Sequence, residues 1–182
     1  LKNKDGALKY IANGEILGIN KGYKTGIRED WYVVPSIKKS DALFIRRNNL
    51  YPRLIVNEAE AYTTDTMHRV NTKPNANIRA FTASYYNSLS FAFAEIVGRS
   101  YGGGVLELMP SEVEKILLPY NETHSNLLPE IDKMIRNKVD IDTILEYTDN
   151  LLLKQTYGLT DNEIDTAKRI WKKLSNRRLG RK

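Results

Sequence analysis

The sequence predicts an α+β fold: a small, mostly antiparallel sheet with a central helix, followed by a C-terminal helical bundle. Short runs rich in β-branched and aromatic residues lie close together in residues 31–81 and are joined by loops. This spacing favours antiparallel pairing over βαβ units, which need longer connections. In residues 127–174, apolar residues recur at helical spacing in three stretches with short links, which predicts a helical bundle. We therefore predict two domains, residues 1–120 and residues 121–182.

The first domain is predicted to begin with a short helix in residues 4–16 and a glycine-rich loop in residues 18–30. The composition of the next 50 residues is typical of short strands separated by loops. The predicted strands are residues 31–34, which Pro35 stops, and residues 42–46, 53–58, 62–70 and 78–81.

Residues 85–119 organise the middle of the predicted fold. Apolar residues at helical spacing predict the central helix, and Gly98 follows it where a C-terminal cap with positive φ is expected. A loop in residues 99–104 leads to a short strand in residues 105–108. A second helix is expected after it, because Ser111 and Glu114 have the spacing of a capping box.

The second domain is predicted to be helical. Asp140 is placed to cap one helix, and Thr160 and Glu163 form a capping box for the last. From Lys168 onward the chain has eight Lys and Arg residues and no acidic residue. We expect a frayed basic tail there, able to touch nucleic acid without sequence specificity.

The composition limits the classes of protein to consider. The chain has 182 residues and a net charge of +6, and residues 1–79 alone carry 14 Lys and Arg against 8 Asp and Glu. A clustered basic surface is typical of a polyanion-binding protein, although a merely solvated surface is also common.

Cysteine is absent, so disulfides and thiolate ligands are excluded. No apolar run is long enough to span a bilayer. We expect a cytoplasmic protein, and the first residue, Leu1, indicates a piece of a longer polypeptide.

Three basic regions are candidates for contact with nucleic acid. The loop in residues 18–30 interleaves cations with Tyr23, which suits a groove that tracks a phosphate backbone beside a stacking platform. Arginines near predicted strand ends, such as Arg47, have the donor geometry that reads guanine. The loop in residues 99–104 joins Arg99 and an aromatic to three glycines, so its backbone N–H groups can approach a phosphate or a base edge. It lacks the Lys and Ser/Thr of a nucleotide-binding P-loop.

Each of these regions also has a plainer interpretation. The first loop is equally consistent with a solvated loop, and the third with a tight turn and a solvated arginine. Asn75 and Asn77, which follow the basic residues Arg69 and Lys73, are best explained by turn chemistry.

Residues suited to catalysis are few. Glu58, Glu60, Asp65 and His68 are the one cluster that merits a test for a divalent metal, and a strand would point Asp65 and His68 to opposite faces. Nucleophilic catalysis needs a histidine partner, and the chain has 2 histidines. We predict neither a catalytic residue nor a metal ligand, and whether the chain is an enzyme by itself stays open.

Four stretches carry a resemblance to a known family. Residues 22–36 contain the frame Arg-x-x-Trp-Tyr-x-Val-Pro, and residues 51–70 form the second stretch. Residues 87–119 are the most specific, with Gly-Arg-x-Tyr-Gly-Gly-Gly followed by Pro-Ser-Glu. The basic helical tail is a weaker fourth. Together they resemble the C-terminal target-recognition region of bacterial restriction–modification DNA adenine-N6 methyltransferases.

The resemblance implies a domain that recognises double-stranded DNA in a sequence-specific way and positions a target adenine for catalysis. In that family an N-terminal catalytic domain or subunit binds S-adenosylmethionine and carries an Asn-Pro-Pro-Tyr motif. This chain contains neither that motif nor a glycine-rich cofactor loop, so no cofactor is expected in it. A protein-interaction or oligomerisation module and a metal-dependent nuclease domain remain alternatives. The residues predicted to contact DNA are Lys21, Tyr23, Lys24, Arg28, Arg46, Arg47, Arg53, Arg69, Lys73, Arg99, Tyr101, Gly102, Gly103 and Gly104.

Overall fold

The computed structural model describes residues 4–34 and 37–180. They belong to two compact units, which divide between Lys38 and Lys39. The domain boundary predicted at residue 120 stays a prediction. No helix in the described part of the chain is both long enough and apolar enough to cross a membrane.

The first unit contains the predicted N-terminal helix, α1 (Lys4–Ile16), and a short helix α2 (Tyr23–Gly26) within the glycine-rich loop. The strand predicted in residues 31–34 is wrong, because these residues form a turn and an irregular segment. The Trp31 ring packs against Gly14 of α1, where an added Cβ would come within 2.3 Å of it. The aromatic residue therefore covers a helix and does not pair as a strand. Pro35 and Ser36 lie outside the described residues.

The second unit contains two three-stranded antiparallel sheets. The antiparallel pairing is as predicted, but the strands form two sheets and not the single sheet expected. In the first sheet, β1 (Ala42–Ile45) lies between β3 (Leu54–Val56) and β4 (Met67–Val70). In the second, β6 (Val105–Glu107) lies between β2 (Arg47–Asn48) and β5 (Arg99–Tyr101). Only Arg46 separates β1 from β2, so the chain passes directly from one sheet to the other.

The strand predicted in residues 78–81 is wrong, because this segment begins α3 (Ile78–Tyr85). The side chain of Asn77 caps the helix and accepts hydrogen bonds from the backbone N–H groups of Arg79 (2.9 Å) and Ala80 (3.2 Å). The four residues Ile-Arg-Ala-Phe are too few to show a period that separates helix from strand. The informative signal is Asn77 at the N-cap position, where the sequence indicates only turn chemistry.

The predicted central helix is α4 (Ser88–Val97). Gly98 follows it, but with φ −77° and not the positive φ expected. Glycine is required there for a different reason: a Cβ would lie 2.7 Å from the Ala94 carbonyl oxygen and 2.7 Å from Leu106 Cδ1. The close approach of β6 to the end of α4 therefore needs a residue without a side chain.

The capping box predicted at Ser111 is also wrong. The short α5 (Pro110–Val113) begins one residue earlier, and Glu112 accepts a hydrogen bond from the Met109 backbone N–H at 2.8 Å. The carboxylate at the third helical position still performs the capping, but the proline and not the serine is the first helical residue.

The C-terminal helices are α6 (Leu128–Arg136), α7 (Ile141–Thr148), which continues as a π-helical segment (Asp149–Thr156), and α8 (Asp161–Leu179). The predicted caps at Asp140 and at Thr160 with Glu163 are confirmed. The expected frayed tail is wrong, because α8 is helical to Leu179. It packs along α4, with the rings of Trp171 and Phe91 edge to face at 5.5 Å. The fold is therefore α+β with C-terminal helices, as predicted.

A buried carboxylate joins the helical segment to α4. Asp149 accepts hydrogen bonds from the Ser88 backbone N–H (2.7 Å) and hydroxyl (2.6 Å), so it adds a second cap to the α4 N-terminus. Burial raises the pKa of Asp149 despite these two bonds.

Candidate nucleic-acid interface

The second sheet brings together four of the residues predicted to contact DNA. Arg47 of β2 and Arg99 of β5 both lie directly opposite Glu107 of β6, on either side of it. Residues opposite each other in an antiparallel sheet project from the same face, and Tyr101 shares that face with Arg99 because it lies two residues further on. Arg46 also reaches Glu107. We call this group of Arg46, Arg47, Arg99 and Tyr101 the arginine face.

Two carboxylates hold the arginines in place. Glu107 Oε1 lies 2.9 Å from Arg47 Nε and 3.0 Å from Arg46 Nη2, and Glu112 Oε1 lies 2.6 Å from Arg99 Nε. The hydrogen bond from Arg47 keeps the pKa of Glu107 below its usual value, although burial acts to raise it. A hydrogen bond from Tyr101 and the positive charge of Arg46 lower this pKa further. The Arg47 and Arg99 side chains are nevertheless 69% and 55% exposed. The arginine face thus presents guanidinium groups to solvent in fixed positions.

The glycine turn, Gly102–Gly104, has two different sides. Gly102 and Gly103 are exposed, and an added Cβ at either would meet nothing within 4 Å. Gly104 is buried beneath the end of α8, with Leu179 packed against it. Positive φ values of 69° and 74° at Gly103 and Gly104 explain why glycine occupies these two positions.

A buried arginine near the end of α8 anchors this turn. Arg178 is 1% exposed and forms a bidentate ion pair with Glu95 of α4, at 2.6 Å (Nη2–Oε1) and 3.1 Å (Nε–Oε2). Its Nη1 donates to the carbonyl oxygens of Asn49, at 2.5 Å, and Gly104. Arg178 therefore has a structural role, and Gly104 contributes to the position of α8.

The other predicted contact residues lie elsewhere. Arg53 places its guanidinium 4.9 Å from the centroid of the Tyr51 ring, and Arg69 and Lys73 line a cavity of about 620 Å³ below β4. Four belong to the first unit, where Arg28 donates to the Trp31 carbonyl oxygen at 3.4 Å and Tyr23 is 86% exposed. Of the predicted contact residues, the structure therefore brings together those of the arginine face. The remaining first-unit candidates are the exposed Lys21 and Lys24.

Two of the three carboxylates considered as metal ligands are engaged with cations instead. Glu58 pairs with Arg79, and Glu60 pairs with Lys39. His68 Nε2 lies 2.6 Å from the Leu108 carbonyl oxygen. Within residues 4–34 and 37–180, no three His, Cys, Asp or Glu residues are grouped so that they could hold a metal ion.

Sequence reasoning missed the residues that support the site. Glu107 and Glu112 follow the glycine turn in an apolar strand and a short helix, and nothing local marks them as partners of arginines. Glu107 lies 60 residues from Arg47 in the chain, and Glu95 lies 83 residues from Arg178. The one available signal for Glu107 was a single acid within the otherwise apolar run of residues 105–109, because a charge placed in a buried strand needs a partner.

Comparison with known proteins identifies the family. Neither the curated proteins nor the solved structures give a match to this chain. A family model does match, over residues 1–153, which include the first unit, both sheets and the helices through most of the π-helical segment. The model is described as the C-terminal domain of the type II methyltransferase M.Eco57I. With most of its length matched, the chain belongs to the family of M.Eco57I-type type II methyltransferase C-terminal domains.

Proposed function

We propose that this domain recognises a specific sequence in double-stranded DNA for an adenine-N6 methyltransferase of a restriction–modification system. It would grip the duplex beside the target adenine, which the catalytic domain must take out of the base stack at a cost of a few kcal/mol. The catalytic domain, on the same polypeptide or another subunit, would bind S-adenosylmethionine, and we assign no residue of this chain to that cofactor.

The arginine face is the observation that carries the proposal. An arginine held by a carboxylate through Nε keeps its two terminal amino groups, which match the O6 and N7 acceptors of guanine in the major groove. The carboxylates also restrict the rotamers of Arg47 and Arg99 before DNA arrives. Less conformational entropy is then lost on binding, which favours affinity as well as specificity.

The net charge of the arginine face is more consistent with hydrogen bonding to base edges than with neutralisation of backbone phosphates alone. Three guanidinium groups stand against two carboxylates, so the local excess is a single positive charge. Phosphate neutralisation would be left to other cations, for which Lys21, Lys24, Arg28 and Lys73 are our candidates. Arg53 and Arg69 remain candidates for groove contact.

The test begins with selection of bound duplexes from a randomised pool by the 182-residue chain. Fluorescence anisotropy with the selected duplex then compares the wild type with Arg47→Ala and Arg99→Ala. Each substitution should cost about 1–3 kcal/mol in specific binding and relax the preference at one position. Binding to an unrelated duplex should change much less.

Arg136→Ala is the matched control. Arg136 is an exposed arginine that also pairs with a carboxylate, Asp132, at 2.6 Å, but it lies on α6. Its loss should leave the specific affinity unchanged. If no sequence is enriched, or if Arg47→Ala and Arg99→Ala bind the selected duplex as the wild type does, the proposal is wrong.

A further inference from the structure

The last helix, α8, carries six lysine and arginine residues, and their side chains fall into two sets. Three of them form ion pairs within the fold. These pairs are Lys168 with Glu146, Lys172 with Asp142 and Arg178 with Glu95. The other three, Arg169, Lys173 and Arg177, are exposed and form no ion pair with any described residue. We call Arg169, Lys173 and Arg177 the basic row.

The basic row lies along one side of α8. Its members are four residues apart in the chain, and residues at i and i+4 are neighbours on the surface of a helix. From Arg169 to Arg177 the row extends about 12 Å, at about 1.5 Å per residue. No acidic residue of α8 follows Asp165. The helix itself therefore offers no negative charge to balance the row.

Contacts within the described part of the chain do not account for this arrangement. Like charges at i and i+4 repel each other and destabilise a helix. The helix dipole favours cations only in the last turn, which includes Arg177 but neither Arg169 nor Lys173. Arg169 Nη2 donates to the Thr166 hydroxyl at 3.1 Å, which supplies no negative charge. A polyanion would remove the repulsion, so a polyanion is the ligand that complements the row.

The C-terminal end of the basic row is fixed beside the arginine face. Arg178, which follows Arg177, donates from Nη1 to the Gly104 carbonyl oxygen, and Leu179 packs against Gly104. The glycine turn directly follows β5, which supplies two side chains of the arginine face. Direct contacts therefore join α8 to the surface that we propose reads bases.

The dimensions of the row match one strand of duplex DNA. At about 1.5 Å per residue the row is about 12 Å long, and each strand carries one phosphate per about 3.4 Å of helix axis, so the row can face about three or four successive phosphates. Contacts of Lys and Arg with phosphates fix the position of a protein on the duplex without reading its sequence. The family model matches residues 1–153 and ends before α8, so the match assigns no role to this helix.

We propose that the basic row contacts successive phosphates on one strand of the duplex whose bases the arginine face reads. The inference rests on the proposed function for the identity of the polyanion. It adds phosphate contacts to those expected of Lys21, Lys24, Arg28 and Lys73. It also gives the C-terminal helix a role in positioning the duplex and not in base recognition.

The first experiment measures how the affinity for the selected duplex depends on salt. Each lost phosphate contact reduces the steepness of log K against log salt by about 0.9, so Arg169→Gln, Lys173→Gln and Arg177→Gln should each show that reduction. The triple variant should lose about 2.7. The affinity for an unrelated duplex should fall by the same factor, because phosphate contacts carry no sequence information.

Two variants are the controls for the salt dependence. Lys168→Gln removes a cation from the same helix, but Lys168 is paired with Glu146 and lies outside the basic row, so the slope should not change. Lys173→Arg keeps the charge and should behave as the wild type does. The triple variant should melt at the wild-type temperature or above it, because glutamine relieves the repulsion within the row. A loss of binding is then not a loss of folding.

The second experiment locates the contacted phosphates. The selected duplex is ethylated at random phosphates, and the molecules that the chain binds are separated from those that it does not bind. Ethylation at about three or four successive phosphates of one strand should block binding by the wild type but not by the triple variant. The same interference pattern for both proteins would overturn the proposal.

The outcomes separate this inference from the proposed function. An unchanged salt slope in the triple variant overturns the phosphate contacts, whereas recognition stands if Arg47→Ala and Arg99→Ala still weaken specific binding. If no sequence is enriched but the triple variant loses slope on a mixed-sequence duplex, the basic row binds the DNA backbone and the proposed recognition is wrong. If the triple variant loses affinity for a mixed-sequence RNA and none for DNA, the polyanion is RNA and the inference is wrong.

Discussion

Replacing Arg178 should destabilise the second unit more than replacing any other lysine or arginine of α8. Arg178→Met keeps the aliphatic part of the side chain but leaves Glu95 buried, with its side chain only 2% exposed and without its partner. Removing one member of a buried ion pair costs about 3–5 kcal/mol. Against a typical total stability of about 5–15 kcal/mol, that loss brings the protein close to unfolding.

The magnitude includes more than the ion pair. The carbonyl oxygens of Asn49 and Gly104 lose the donor that Arg178 Nη1 supplies, so the end of α8 also loses its attachment to the glycine turn. Since these interactions share one side chain, their costs do not add separately. We therefore keep about 3–5 kcal/mol as the expected total.

Urea unfolding, followed by circular dichroism, measures the effect. With a slope of about 2 kcal/mol/M, the midpoint should fall by about 1.5–2.5 M. Arg177→Met, at the exposed neighbouring arginine, should change the free energy of unfolding by less than about 0.5 kcal/mol. The double variant Glu95→Leu with Arg178→Met should be more stable than Arg178→Met alone, because no charge stays buried and unpaired.

Equal midpoints for Arg178→Met and Arg177→Met would refute the reasoning. So would a double variant that is less stable than Arg178→Met, because the unpaired carboxylate would then not be the source of the cost.

Three further predictions concern the interior. Burial lowers the pKa of His124, so at acidic pH the unfolded chain binds a proton at this histidine more readily than the folded chain does. As the pH decreases below 6.5, the free energy of unfolding should therefore decrease by at most about 1.4 kcal/mol per pH unit. Parallel pH profiles of stability for the wild type and His124→Gln would contradict this. Gly98→Ala should lower the unfolding free energy by about 1–3 kcal/mol through overpacking, whereas Gly102→Ala, in open space, should have little effect in the same urea assay. Asp149→Asn should be more stable than Asp149→Ala at neutral pH, since it keeps an acceptor for Ser88 and removes a carboxylate whose pKa burial raises; equal midpoints would argue against that account.

Local signals in the sequence determined the elements whose causes are local. The caps at Asp140 and Thr160, the period of α4 and the short apolar run of β1 each act within one or two turns or within a single strand, so the sequence sufficed for them. The same reasoning failed in residues 31–34 and 78–81. Those runs are too short to show a period, and packing of Trp31 on α1 or capping by Asn77 decided their conformation.

The candidate site divides in the same way. Composition identified the arginines and the glycine turn one by one, because cations and glycines mark a surface loop wherever they occur. Their assembly depends on strand register: only the pairing of β2, β6 and β5 places Arg47 and Arg99 on either side of Glu107. The burial of Arg178 likewise depends on α4 and the glycine turn. From the sequence alone, an arginine in a basic helix such as α8 is expected to be exposed to solvent. Arg178 can be buried only because residues distant in the chain supply its ion-pair and hydrogen-bond partners.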